Sequence, residues 1–214
     1  MIIKKFIPEE FAANNYLIYN EDTKNAVLFD CAGSFDKIAK FIEENKLNLE
    51  KIIITHIHFD HVMDCAAFKK KFKNVKILIP SLDKPLFDNL TMQCDLFGVR
   101  RVEPFVADEF IDENSKIYLD DIEIKTISTP GHSNGSSCYL INDNLISGDT
   151  LFYEEIGRCD LPTGSFSDIA RSIKEKLFLL DDNVKVFTGH GDNTTIGHEK
   201  EYNAYFGKKA HLLG

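Results

Sequence analysis

The chain has 214 residues, a length at which one hydrophobic core can form without disulfides, and we predict a single domain over residues 1–214. Lys and Arg total 25 against 34 Asp and Glu, and the formal charge of -9 argues against binding to nucleic acid or anionic membranes. No apolar stretch of signal-peptide or membrane-spanning length is present and the five cysteines are scattered, so we expect a cytoplasmic protein with reduced thiols.

Short runs of apolar, β-branched and aromatic residues recur along the chain and predict strands. They lie at residues 2–6, 16–19, 26–29, 51–55, 76–79, 116–119, 122–127, 138–141, 144–147 and 184–187. Several of these runs alternate polar with apolar residues, as IEIKTI and VKVF do, which is typical of strands that bury one face.

Helical patterns lie between some of the strands. Ser34 is a predicted cap for a helix over residues 36–46, a second helix over 62–72 ends in basic residues, and Ser165 or Ser167 is predicted to cap a third that reaches Leu180. Strands also follow one another directly. This mixture favours two sheets with helices outside over a single doubly wound sheet, although both arrangements remain open at this level.

Four predicted strands each end in a short turn with a residue that can bind a metal. These residues are His56, His132, Asp149 and His190, and glycine precedes the last three. Taken alone, His132, Asp149 or His190 could be an ordinary turn residue. Because strand ends on one edge of a sheet lie close together, we expect the four loops to converge.

The strongest local signal is the stretch THIHFDH at residues 55–61. His56 and His58 lie two residues apart and share one face of an extended chain, while Asp60 and His61 follow where a helix is predicted to begin. A cluster of surface histidines is the alternative, but so many imidazoles gathered together favour metal binding. His198 and His211 lack such a context and are predicted to be surface residues.

These motifs resemble those of a known family. THIHFDH is similar to the T-H-x-H-x-D-H signature of the metallo-β-lactamase superfamily, and TPGHSNGS, SGDTLF and GHGDNTTIG follow in that family's order and spacing. The resemblance implies an α+β fold, a four-layer αββα sandwich, with a dinuclear site at one edge. It also implies the metal ligands: His56, His58 and His132 for the first ion, Asp60, His61 and His190 for the second, and Asp149 as the bridge.

The resemblance further implies two divalent metal ions, with zinc expected and iron or manganese as alternatives. Hydrolysis by a metal-bound hydroxide would follow, and Asp60 is the predicted catalytic residue that orients the hydroxide and accepts its proton. Asp30, in AVLFDCAG, occupies the place of a family aspartate that supports the ligand loop; a simple turn-forming role is equally open.

The stretch SGDTLFYEEIGRCDLPTGSF is similar to a segment of the glyoxalase II-like branch and of persulfide dioxygenases. Arg158 and Asp160 match it and are candidate substrate-binding residues or a structural ion pair, whereas Cys159 and Thr163 depart from it. We therefore predict hydrolysis of a small, anionic thioester. The alternatives are a persulfide dioxygenase with one iron, a hydrolase of another ester or lactone, and a non-catalytic metal-binding scaffold.

Two features bear on the substrate. Only 24 residues follow His190, too few for the glutathione-binding C-terminal domain of full-length glyoxalase II, so glutathione thioesters are less favoured than thioesters in general. An exported lactamase and an RNA-processing enzyme are disfavoured, because an export signal and a basic arm are both lacking.

Overall fold

The computed structural model describes residues 1–8 and 13–210, which leaves His211 outside the described residues. The chain divides into two compact units. Unit 1 comprises Met1–Ile111 and Tyr118–Ile122, and unit 2 comprises Asp112–Ile117 and Glu123–Gly214. The assignment of residues 1–214 to a single domain stays a prediction. Among the described residues, no helix has the length and apolar character needed to span a membrane.

Unit 1 contains a six-stranded mixed sheet whose spatial order follows the chain from β1 to β6. The first three strands pair antiparallel and the remaining neighbours pair in parallel. The strands are β1 Ile2–Phe6, β2 Asn15–Tyr19, β3 Asn25–Phe29, β4 Asn48–Ile53, β5 Lys76–Pro80 and β6 Glu109–Ile111.

Helices of unit 1 lie between its parallel strands. They are α1 Phe35–Glu44, α2 Phe59–Val62, α3 Cys65–Lys71, α4 Lys84–Asp88 and α5 Leu90–Phe97, with a 3-10 turn at Ser81–Asp83. Ile42 of α1 and Phe68 of α3 share a buried cluster with Leu28 and Ile52 from the sheet. The parallel β-helix-β order thus buries one face of the sheet under helices and brings the loops after β3 and β4 side by side.

The start of α1 differs from its prediction. Ser34 lies at the capping position, but its side chain makes no capping hydrogen bond. Instead Asp64 Oδ2 accepts the backbone N–H groups of Ser34 and Phe35, at 3.0 and 3.1 Å. A carboxylate from another segment therefore satisfies the first free donors of the helix, and a charge at this end also suits the helix dipole.

A second six-stranded sheet has the order β12-β11-β10-β9-β8-β7, and unit 2 contains its strands β9 to β12 together with β8 from Glu123 onward. Its strands are β7 Ile117–Leu119, β8 Ile122–Ser128, β9 Ser137–Ile141, β10 Asn144–Gly148, β11 Lys185–Thr188 and β12 Thr194–Thr195. Strands β10 and β11 pair in parallel, and β8, β9 and β10 form an antiparallel meander.

Two helices accompany this sheet, α6 Phe166–Glu175 and α7 Ile196–Tyr202, with a 3-10 turn at Leu177–Leu179. Ser165 caps α6 as predicted, because its side chain accepts the backbone N–H of Asp168. Ile169 of α6 is fully buried and shares a cluster with Leu145 and Val186 of the sheet. The Ser172 hydroxyl of α6 donates to the Pro130 carbonyl at 2.8 Å, so the helix contacts the loop after β8.

Candidate metal centre

Unit 1 gathers three buried imidazoles in the loop after β4. The ring centroid of His56 lies 4.7 Å from that of His58 and 4.1 Å from that of His61. His58 immediately precedes α2, whose first turn carries Asp60. The Nε2 atom of His61 lies 3.9 Å from Asp60 Oδ2. Residues 55–61 therefore bring three imidazoles and one carboxylate, all able to bind a metal, close together.

Asp30 supports this loop through three contacts. Its Oδ2 atom lies 2.8 Å from Nδ1 of His61 and accepts the Thr55 hydroxyl at 2.9 Å, while its Oδ1 accepts the Thr55 N–H at 2.8 Å. An ionised carboxylate can only accept, so the ring proton of a neutral His61 lies on Nδ1 and the lone pair on Nε2. This is the tautomer that a metal-binding Nε2 requires.

His56 has a comparable neighbour. Its Nδ1 atom lies 3.1 Å from the Thr55 hydroxyl oxygen. Since that hydroxyl donates its proton to Asp30, its oxygen is left to accept from the His56 ring. Again Nε2 is the nitrogen left with a lone pair.

Two residues that sequence reasoning missed hold the backbone of the loop at Ile57. Asp83 Oδ2 accepts the Ile57 N–H at 2.9 Å, and Gln93 Nε2 donates to the Ile57 carbonyl at 3.0 Å. Asp83 is fully buried although SLDKP has the composition of an exposed turn. These side chains fix a peptide that lies between two candidate ligands, and no local pattern in the sequence announces that role.

Unit 2 carries the other predicted ligands. Asp149 Oδ2 lies 3.5 Å from Nε2 of His132 and 3.3 Å from Nε2 of His190. The Nδ1 atom of His132 lies 2.8 Å from the carbonyl oxygen of Arg158. A carbonyl can only accept, so Nδ1 carries the proton and Nε2 of the neutral ring faces Asp149 with its lone pair.

Two glycines make room for these side chains. Gly131, which precedes His132, has φ +139°, a conformation that other residues rarely adopt. A Cβ atom on Gly189 would lie 2.1 Å from Oδ1 of Asp149. The glycine before His190 is therefore needed for close approach of the carboxylate rather than for an unusual turn.

The spacing of donor atoms fits a metal ion. Separations of 3.3 and 3.5 Å between Asp149 and the two imidazoles exceed the 2.7–3.2 Å of an ordinary N–H···O bond. Zinc bonds of about 2.0–2.1 Å in a tetrahedral arrangement separate neighbouring donors by about 3.4 Å. Imidazole nitrogens and carboxylate oxygens are also the ligands that zinc, iron and manganese accept. The unit 2 donor set therefore has both the chemistry and the spacing for such an ion.

Arg158 and Asp160 form a bidentate ion pair on the surface of unit 2. The guanidinium Nε and Nη2 atoms lie 2.7 and 2.8 Å from the two carboxylate oxygens. The hydrogen bond from Arg158 lowers the pKa of Asp160 to about 2. The structural ion pair is thus formed, and it is the main chain of Arg158 that contacts His132. A substrate-binding role for the two side chains stays a prediction.

His198, predicted to be a surface residue, has two partners that the sequence did not indicate. It is half-buried, its Nε2 lies 2.9 Å from a Glu154 carboxylate oxygen, and its ring stacks on Tyr153 with centroids 4.9 Å apart. The aromatic and acidic partners come from the segment after β10, at a sequence distance that local inspection does not reveal.

Comparison with known proteins assigns the family. A model described as the metallo-β-lactamase superfamily matches residues 8–190, most of the chain. The chain belongs to the metallo-β-lactamase superfamily. It is 34% identical over 204 residues to a Haemophilus influenzae protein named hydroxyacylglutathione hydrolase GloC, with 94% of this chain and 95% of that protein covered.

Solved structures agree with this assignment. The BLEG-1 B3 metallo-β-lactamase matches with a TM-score of 0.88 and 29% identity, covering 95% of this chain and 99% of that one. A protein named TTHA1623, solved in a di-iron-bound form, matches with a TM-score of 0.83 and 26% identity, covering 95% and 100%. The predicted metallo-β-lactamase fold and α+β class are confirmed, as is membership of a superfamily of metal-binding hydrolases.

Proposed function

We propose that this superfamily member is a dinuclear metal-dependent hydrolase that cleaves small, anionic thioesters. In this proposal His56, His58 and His132 hold one divalent ion, Asp60, His61 and His190 hold the other, and Asp149 bridges the two. The main observation in support of metal binding is the orientation of the imidazoles. His61 and His132 each have Nδ1 engaged by an acceptor in their own unit, so that Nε2 is the metal-binding nitrogen.

Thioester cleavage is supported by the named activity of the Haemophilus influenzae relative, a hydroxyacylglutathione hydrolase. Two divalent cations held by two carboxylates leave a local formal charge of about +2, which attracts a small anion even though the whole chain carries -9. Bound divalent metals supply Lewis acidity and bring the pKa of water to about 7. Zinc is the expected metal, with iron and manganese as alternatives.

The protein side chains have separate tasks in this reaction. Asp60 lies at the start of α2 with its side chain partly exposed. It would orient the attacking water and then accept its proton. Asp30 would keep His61 in the tautomer whose lone pair lies on Nε2. The partly exposed side chain of Asp60 is compatible with a role in proton transfer, whereas the buried Asp30 is suited to positioning.

One preparation tests the proposal. Protein purified without added metal is measured by elemental analysis, and the same sample is assayed with thioester, ester, lactone and lactam substrates and for oxygen consumption with a persulfide. Two metals per chain with thioester cleavage is the expected result. One iron per chain with oxygen consumption would replace the hydrolase by a persulfide dioxygenase, and full metal content without any turnover would leave a metal-binding scaffold.

The Asp60→Asn variant sharpens the test. Loss of its proton-accepting carboxylate should lower kcat by about 10²–10⁴-fold, the usual contribution of general acid-base catalysis. Asp88→Asn is a matched control, because Asp88 is an exposed carboxylate paired with Lys84 on α4. Turnover at the wild-type rate in Asp60→Asn would remove the proposed role of this residue.

A further inference from the structure

Two buried thiols lie in contact beside the loop that carries the histidines. The Sγ atoms of Cys31 and Cys65 are 3.1 Å apart, and both side chains are fully buried. Cys31 follows Asp30 after β3, and Cys65 begins α3. The two cysteines are 34 positions apart in sequence, so the fold brings them together and local chain geometry does not.

The segments that carry the thiols are already joined by their backbones. The Cys31 N–H donates to the His61 carbonyl at 2.9 Å, and the Cys31 carbonyl accepts the Asp64 N–H at 3.0 Å. An S–S bond is about 2.05 Å long, so closure requires the sulfurs to approach by about 1 Å. We propose that Cys31 and Cys65 are a reversible oxidation site that closes to an intrachain disulfide when the protein meets a hydroperoxide.

The reaction balances with the peroxide as oxidant. The first thiol attacks the O–O bond, becomes a sulfenic acid and releases one water or alcohol. The second thiol attacks the sulfenic sulfur, forms the S–S bond and releases a second water. The two thiols lose two electrons and two protons, which the peroxide takes up. A small dithiol reverses the reaction by thiol-disulfide exchange.

Burial sets the rate of this oxidation. Removal from water raises the pKa of the Cys31 thiol well above its ordinary value, so little thiolate is present at neutral pH. Reaction then depends on brief opening of the loop after β3 and on a small oxidant. Cys159, which is half-buried, is the reference thiol for reactions that need no such opening.

Closure acts on the neighbouring metal-binding loop, a consequence that rests on the proposed function. Asp30 precedes Cys31 directly and contacts His61 Nδ1 at 2.8 Å, while Cys65, the first residue of α3, follows His61 by four residues. Drawing the two sulfurs together shifts both sides of that contact. Loss of such an outer hydrogen bond typically lowers metal affinity by about 10–100-fold, and we expect a decrease in this range on oxidation.

Peptide mapping tests the disulfide. The full-length reduced protein is treated with hydrogen peroxide, its remaining thiols are alkylated under denaturing conditions, and the digest is analysed by mass spectrometry. The expected product is a peptide pair joined through Cys31 and Cys65 that dithiothreitol separates. It should be absent from Cys65→Ser and Cys31→Ser and present in the control Cys159→Ser. The proposal would be overturned if Cys31 and Cys65 were still fully alkylated in a sample in which Cys159 had been oxidised.

Metal retention tests the coupling separately. Oxidised and reduced samples are dialysed against the same graded chelator and analysed for metal content, and the oxidised sample should lose metal at lower chelator and regain the reduced behaviour after dithiothreitol. A mapped disulfide with unchanged metal retention would overturn the coupling. A reduced protein that never retains metal would overturn the proposed function and the coupling with it, while the peptide map still decides the disulfide.

Discussion

The contact between Asp30 and His61 allows the effect of an Asp30→Asn substitution on the His61 tautomer to be predicted atom by atom. In Asp30→Asn, the amide oxygen can still accept the Thr55 N–H, which places the NH2 group where Oδ2 now faces Thr55 Oγ1 and His61 Nδ1. A donor at this position requires a lone pair on Nδ1. The ring proton must then move to Nε2, the nitrogen proposed to bind metal.

The size of the effect follows from this exchange of tautomer. Asn tolerates the left-handed backbone of residue 30, where φ is +54°, and the number of hydrogen bonds is kept, so the fold should survive. We expect metal affinity to fall by about 10–100-fold, which is about 1.4–2.7 kcal/mol. Asp30→Ala is a poorer probe, since three buried donors would lose their acceptor at about 1–3 kcal/mol each.

The assay is metal retention under graded chelator, with the melting temperature measured on the same samples. Asp108→Asn is the matched control, because Asp108 also accepts a backbone N–H, that of Ile77 at 2.7 Å, and pairs with Lys69 without touching an imidazole. Wild-type metal affinity in a folded Asp30→Asn protein would refute the tautomer argument. Equal losses of metal in both variants would attribute the effect to general destabilisation.

Two further predictions concern unit 2. In Gly189→Ala the new Cβ would lie 2.1 Å from Asp149 Oδ1, so the carboxylate must move. Elemental analysis should show a loss of metal, and the free energy of unfolding should fall by about 1–3 kcal/mol. Gly191→Ala, with φ +69° and open space around its Cβ, should cost only about 1 kcal/mol and keep the metal; equal metal loss in both would contradict the steric argument. Carboxyl NMR should give Asp160 a pKa of about 2, which Arg158→Gln raises toward the ordinary value of about 3.9. Because the folded-state pKa is the lower one, the stabilisation by this pair is present above pH 4 and is lost as the pH falls through about 2, and an unperturbed Asp160 would disprove the pairing in solution. A changed KM in Arg158→Gln at unchanged melting temperature would support substrate contact.

The strands were largely predictable because their residues alternate or form apolar runs. IIKKF, for example, becomes β1 with the predicted bounds. Strand β6 was missed, since Glu109–Ile111 has only three residues, of which two are exposed, and it is defined by its pairing with β5. Helix α5 was missed as well, because Met92 and Leu96 are exposed apolar residues that blur the helical period.

The candidate ligands were recognisable because histidine and aspartate at strand ends have a chemical signature in the sequence. The groups that hold these ligands in place were not recognisable from the sequence. Asp83 and Gln93 act on the backbone of Ile57 from other elements, and the partner of His132 is a carbonyl oxygen, a group that every residue possesses. Tertiary contacts of this kind depend on which segments the sheets bring together. They cannot be predicted from the identity of a single residue.

The main-chain partner of His132 has a practical consequence for engineering. Because the imidazole is oriented by the carbonyl of residue 158, the side chains of residues 158 to 160 can be exchanged without removing that hydrogen bond, provided the loop keeps its course. A library randomised at these three positions should therefore contain many members that still load with metal. Such a collection would let selection for new substrates proceed without disturbing the orientation of His132.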